Sequence, residues 1–263
     1  MRQYLRLSVC VSVVFTICPG RLIAAASPDS VYEISPAVDA AIIGATALGS
    51  VIPQTLSSHL ISPSCPCNAG DVNGFDRPTI GNHSQTAATI SDVTLGAAML
   101  VPPVLDYLTV GAGSAWVEDL VVYSEVLSVS GAFTTLSKFT VQRPIPLEYS
   151  GDLSHQDTNG YASFFSGHTA LAFAALSAAA ITADYRYHLG AWPWLVVAGA
   201  GASVAYERVA AGRHFPTDVM MGALAGTVTG VFIPIFHRRK SDPLPVTISW
   251  EDQGVMVTWR YHF

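Results

Sequence analysis

Charge is what this chain has least of. Asp, Glu, Lys and Arg make up 12% of its 263 residues, about half the roughly 25% of an ordinary soluble domain. Half of the chain is apolar. A solvated globular surface is hard to build from that balance, whereas a membrane protein fits it. A basic excess is missing too: 13 Lys and Arg stand against 19 Asp and Glu, a net charge of -6. That excludes the basic stripe a nucleic-acid partner requires. Cysteine is also scarce. Cys10 and Cys18 lie in the first 26 residues, and only Cys65 and Cys67 follow, too few for a disulfide framework. The Cys65-Pro66-Cys67 pair is compatible with a local bridge in an oxidising compartment, a link to another chain, or a loop feature without chemistry.

Arg2 and Arg6 precede an apolar run from Leu7 to Cys18, and Ala24, Ala25 and Ala26 follow. This is the pattern of an export signal cleaved after Ala26. Pro19, Gly20 and Arg21 interrupt it, which leaves an uncleaved anchor as the alternative. Both readings start the chain outside the cytoplasm from about residue 27.

Six further apolar stretches run over Val38–Leu56, Ser91–Thr109, Trp116–Val141, Ser166–Ala183, Trp192–Tyr206 and Asp218–Phe236. Several approach the ~20 residues of a bilayer crossing. The expected fold is all-α, a membrane-embedded bundle of about six helices. Gly222, Gly226 and Gly230 recur every four residues on one face, a stripe for close helix packing. A polar, breaker-rich loop from Ser57 to Thr89 reads as an external cap. Alternating residues in Val246–Trp250 and Val255–Tyr261, around Asp252-Gln253-Gly254, predict a short C-terminal β-hairpin. The organisation is a leader at 1–26, a first helix and cysteine loop at 27–90, a helical core at 91–240 and a tail at 241–263.

Arg186 and the run Arg238, Arg239, Lys240 mark cytoplasmic helix ends. The opposite ends, with Lys138, His168, Arg208 and Asp218, then face outside. Six crossings that end inside must begin inside, which conflicts with an exported start. Either one segment does not cross, the first being the weakest with Asp39, Gly44, Gly49 and Pro53, or the chain begins in the cytoplasm.

Three clusters carry chemistry. Arg208, Arg213, His214 and Asp218 fall within eleven residues between two apolar helices, more ionisable groups than interfacial anchoring explains. Phe165-Ser166-Gly167-His168 opens a helix, where free N–H groups and the dipole favour an anion. Lys138 and Arg143 lie where Pro144 and Pro146 end another helix. All three map to the same ends of antiparallel helices, so Lys138, Arg143, Arg208 and the backbone at Ser166 and Gly167 can hold one phosphate together.

In order and spacing these clusters resemble the phosphatidic acid phosphatase type 2 and vanadium haloperoxidase superfamily. Its signature is Lys-x6-Arg-Pro, Pro-Ser-Gly-His and Ser-Arg-x5-His-x3-Asp, and the resemblance covers roughly Ser91 to Arg239. It implies that His214 attacks phosphorus, oriented by Asp218, and that His168 protonates the leaving oxygen. Water then cleaves the phosphohistidine with His168 as base. Lys138, Arg143, Arg208, Ser166 and Gly167 would bind the phosphate; no metal or other cofactor is implied. The implied protein is a lipid phosphate or diphosphate phosphatase of a bacterial-type cytoplasmic membrane, with its site facing outside. Candidate substrates include undecaprenyl diphosphate, phosphatidic acid, phosphatidylglycerol phosphate and a lipid A phosphate.

The chain also departs from that pattern. Glu207 and Phe165 replace a Ser and a Pro. Counting from Lys138 places Ile145 at the motif Arg; counting back from Arg143 places Leu136 at the motif Lys. One phosphate-binding cation is therefore expected to be missing or displaced. The alternatives are a soluble periplasmic acid phosphatase or haloperoxidase of the same superfamily, and a weakened lipid-phosphate binding or assembly protein. Glu125, an acid within a span, is expected to pair structurally, and His155 and Asp157 read as ordinary loop residues.

Overall fold

The computed structural model describes residues 30–62, 65, 67–150, 158–239, 246–251 and 254–259. The leader, His155, Asp157 and Lys240 lie outside the described residues. Among the described residues, eight α-helices follow one another: α1 Pro36–Thr55, α2 Ser57–Leu60, α3 Gln85–Val110, α4 Ser114–Val141, α5 Pro146–Ser150, α6 Gly167–Tyr187, α7 Trp192–Ala210 and α8 Pro216–Phe236. Six of them are long, as the apolar stretches predict. Beyond the helices, Val246–Glu251 (β1) and Gly254–Trp259 (β2) pair antiparallel, with Val246 opposite Trp259.

Local chemistry sets the helix ends. The Ser84 hydroxyl accepts from the Ala87 N–H at the start of α3, satisfying one orphan donor of the first turn. Gly111, with φ 83°, ends α3 in a conformation that glycine adopts without strain. Pro102 and Pro103 lie inside α3 and supply no N–H, so the carbonyls of Ala98 and Met99, four residues earlier, lose their helical donors. The Tyr123 hydroxyl of α4 reaches both, at 3.2 and 3.1 Å. In an apolar surrounding, such a repair is what makes the two internal prolines tolerable.

Among the described residues, four segments are long and apolar enough to cross a membrane: Pro36–Thr55, Gln85–Val110, Ser114–Ser150 and Pro216–Phe236. They carry exposed large apolar residues such as Leu48, Leu100, Leu108 and Phe232, and together they mark a membrane protein. Helix α6 differs because it is alanine-rich and packs against α3, α4, α7 and α8. Small side chains there let neighbouring backbones approach, as the glycine stripe on α8 does. A Cβ on Gly222 would lie 2.6 Å from the Ser166 carbonyl oxygen, and Cβ atoms on Gly226 and Gly230 would collide with the carbonyls of Ala170 and Ala174.

The long helices alternate in direction. The C-terminal ends of α4 and α7 and the N-terminal ends of α3, α6 and α8 meet at one end of the bundle, where Asp92 contacts His168 and Ser166 contacts Asp218. Helix α1 takes part fully. Asp39 near its start lies 3.5 Å from His237 just after α8, and Gln54 near its end contacts Thr135 of α4. Gly44 and Gly49 do not break it and Pro53 falls in its last turn. The expectation that the first segment is the weak one is therefore not met by its geometry. The segment before it pairs with the segment after α8 through Tyr32 and Arg238, so both lie at the end opposite Asp92 and His168.

Candidate active site

His214 lies in the short connection from α7 to α8 and is 4% exposed. Its Nδ1 is 2.7 Å from the Ser163 carbonyl oxygen. A carbonyl can only accept, so Nδ1 carries the proton and Nε2 keeps its lone pair in the neutral ring. Burial pushes the His214 imidazole well below its ordinary range, and the positive charges of Lys138 and Arg208 push it further down. This leaves a neutral nitrogen nucleophile beside two cations.

The sequence assigned the orienting role to Asp218, and the structure corrects the route. Among the described residues, Asp218 makes no hydrogen bond to His214. Its Oδ2 accepts from the Ser163 hydroxyl at 2.5 Å and from the Phe215 N–H at 2.8 Å, and its Oδ1 accepts from Arg143 at 2.5 Å. Asp218 thus fixes Ser163, whose carbonyl fixes the imidazole. Ser163 carried no sequence signal because its decisive contact uses the backbone.

Arg143 is corrected as well. Beyond the Asp218 bond, it donates to Asp76 at 2.8 Å and to Thr217 at 2.9 Å, with its guanidinium 4.1 Å from the centre of the Phe215 ring. Two carboxylates occupy it, so it braces the site and is not free to bind phosphate. Asp76 comes from the breaker-rich loop and is fully buried. Burial pushes its carboxyl up, but hydrogen bonds from Arg143, Thr217 and Asn73 outweigh this and hold it below the usual range. The loop is therefore more than an external cap: it inserts a buried anion under the α7–α8 turn. In the same loop, Cys65 and Cys67 are bridged to each other.

The remaining predicted residues converge. A Cβ on Gly167 would lie 3.8 Å from the Lys138 ammonium, which places that cation against the start of α6. Ser166 caps α6 with its hydroxyl facing Thr169, and the first N–H groups of a helix have no partner within it. Arg208 enters from α7, 3.3 Å from the Ser91 hydroxyl and 3.5 Å from Asp92, while its Nε is buried without a hydrogen bond. An unsatisfied guanidinium N–H beside a lysine and a helix N-terminus is a site waiting for an anion. His168 Nε2 is 2.8 Å from Asp92. Asp92 is the residue that sequence reading missed with a usable signal, being an acid within an apolar helix.

The departures also resolve. Ile145 is buried, its N–H donating to the Gly160 carbonyl at 2.8 Å, and Leu136 is 60% exposed on the outer face. Neither belongs to the site, and Lys138 takes the position beside Gly167.

Comparisons with curated proteins and with solved structures gave no match. Residues 119–242 match the model of the PAP2 superfamily, a stretch that contains all three motifs. Its members are generally phosphatases, which supports a phosphoric ester hydrolase at that coarse level. The match is consistent with a member of the PAP2 superfamily.

Proposed function

We propose that this protein is a membrane phosphatase that removes phosphate from a lipid phosphate or diphosphate through a phosphohistidine on His214. The observation that carries the reading is the single available lone pair of His214, aimed by the Ser163 carbonyl and flanked by Lys138 and Arg208. In the first step Nε2 bonds to phosphorus as the bond to the leaving oxygen breaks, and His168 gives that oxygen its proton. In the second, water attacks phosphorus, His168 takes the water's proton, and the P–N bond breaks to release inorganic phosphate. Asp92, 2.8 Å from His168 Nε2, opposes the downward push of burial and Arg208 on that imidazole, favouring the proton that His168 carries before the first step and regains in the second. Lys138, Arg208 and the first N–H groups of α6 hold the non-bridging oxygens, preorganised where charge accumulates.

A lipid substrate is supported by an apolar groove of about 660 Å³ between α3, α4, α6 and α7. It begins at Thr94, two residues beyond Asp92, and continues past Val101, Leu120 and Leu176. A hydrocarbon chain laid there leaves its phosphate at the catalytic end. Arg186, Arg238 and Arg239 gather at the opposite end, and the positive-inside rule supports a cytoplasmic face there and a site that faces outside.

The test is phosphate release from a panel of lipid phosphates by detergent-purified protein, with and without EDTA, parent against His214→Ala. Release by the parent alone, undiminished by EDTA, supports the reading. Equal lipid-phosphate binding by both proteins with release by neither favours the binding-protein alternative, to which the engaged Arg143 lends weight. Release from the membrane by carbonate would instead favour the soluble phosphatase.

A further inference from the structure

At the end of the bundle away from His214, Asp39 of α1, Glu125 of α4 and His237 just after α8 bring one ligand atom each within 4.8 Å of one another. His237 Nδ1 lies 2.9 Å from the Ile233 carbonyl. The carbonyl accepts, so Nδ1 holds the proton and Nε2 of the neutral ring presents its lone pair. That lone pair faces Asp39 Oδ1 and Glu125 Oε2, each at 3.5 Å, and the two carboxylate side chains are only 5% and 6% exposed. Glu125 Oε2 is buried with no hydrogen-bond partner, whereas the other oxygen of Asp39 accepts from the Ser35 N–H at 2.8 Å.

Three electron-rich atoms thus converge in a nearly dry place. A protonated His237 would draw one carboxylate to a charge-assisted hydrogen bond of about 2.7–2.9 Å, shorter than either observed distance. Ligand atoms about 2.1 Å from a tetrahedral ion instead stand about 3.4 Å apart, close to both 3.5 Å separations. The imidazole held through Nδ1 by a carbonyl is the usual outer support of a metal-bound histidine. Two carboxylates and one neutral imidazole carry two negative charges, matched by one divalent ion. Mixed oxygen and imidazole ligands suit zinc or a neighbouring transition ion better than magnesium or calcium.

We propose that Asp39, Glu125 and His237 bind one divalent transition-metal ion that clasps α1 to α4 and α8. The ion is structural: Glu125 lies 13 residues from Lys138 along α4, about 20 Å of helix, so it takes no part in phosphate chemistry.

The experiment uses tag-free, full-length protein in detergent, stripped with chelator, dialysed against zinc or manganese chloride and then against metal-free buffer. Elemental analysis should find one zinc or manganese per chain in the parent and less than about a tenth of that in Glu125→Gln and in His237→Asn. Zinc should raise the parent's melting midpoint by about 5 °C or more and leave both variants unmoved. Phosphatase activity of the variants below their melting points reports that they are folded and is independent of metal content. Metal content that is the same in parent and folded variants overturns the proposal, as does a parent that retains neither ion. If the variants do not fold, a parent midpoint unmoved by either ion overturns it by itself.

Discussion

At one end of the bundle Lys138, Arg208, His168 and His214 converge around the start of α6, with the carboxylate of Asp218 turned away onto Ser163 and Arg143. At the other end carboxylates dominate: Asp39 and Glu125 meet His237, and Asp119 with Asp106 holds Arg186. The same apolar helices run through both. Buried charge is costly unless it is compensated, so the sign left over at each end says what completes it. The catalytic end is short of an anion, and the Asp39, Glu125 and His237 cluster is short of a cation even though Arg186, Arg238 and Arg239 lie at the same far end.

The strongest way to break this comparison is at the nucleophile. His214→Ala should lower phosphate release by on the order of 10⁴-fold or more while the metal content at the far end stays unchanged; a turnover assay and elemental analysis on one preparation check both. Next comes the brace. Arg143→Ala leaves Asp76 and Asp218 buried without their cation and should cost about 3–5 kcal/mol of stability, measured by denaturant or SDS unfolding in mixed micelles. Arg208→Ala sharpens the distinction between brace and phosphate-binding cation. It should slow turnover about 100- to 1,000-fold, about 2.7–4 kcal/mol of barrier, with little change in unfolding.

The smallest effect is on pH. The folded imidazole of His214 is held below the ordinary value of 6.5, so the unfolded chain takes up a proton that the folded one refuses. Stability from this group is complete above about pH 6.5 and falls as pH drops below it, by up to about 1.4 kcal/mol per unit. Unfolding measured from pH 7 to pH 5 should show that decline in the parent and a shallower one in His214→Asn.

Much of this was legible in the chain. Apolar stretches of near-bilayer length gave the six long helices, and the spacing of Lys138, Ser166-Gly167-His168, Arg208 and His214 pointed to the cations and histidines that the structure brings together. What stayed hidden travels through space. Asp76 reaches Arg143 across 67 residues, and Ser163 reaches His214 through a carbonyl that every residue possesses. Arg143 looked like a phosphate ligand because a cation near a helix exit has the same sequence appearance whether it faces substrate or a buried Asp. Glu125 was correctly read as facing protein, but its partners Asp39 and His237 are too distant in sequence to be named from it.

The glycine stripe of α8 has one more consequence, for the axial register of the site. Gly222, Gly226 and Gly230 admit the Ser166, Ala170 and Ala174 carbonyls where no side chain fits. Slide α8 by one residue and Met221, Ala225 and Thr229 would meet those carbonyls instead, so the helix can dock only in four-residue steps of about 6 Å. Such a step would part the Ser166 N–H from the Asp218 carbonyl, now 3.0 Å away. The seam therefore works as a ratchet, setting the height of the His214 turn against the start of α6 by excluding every intermediate position.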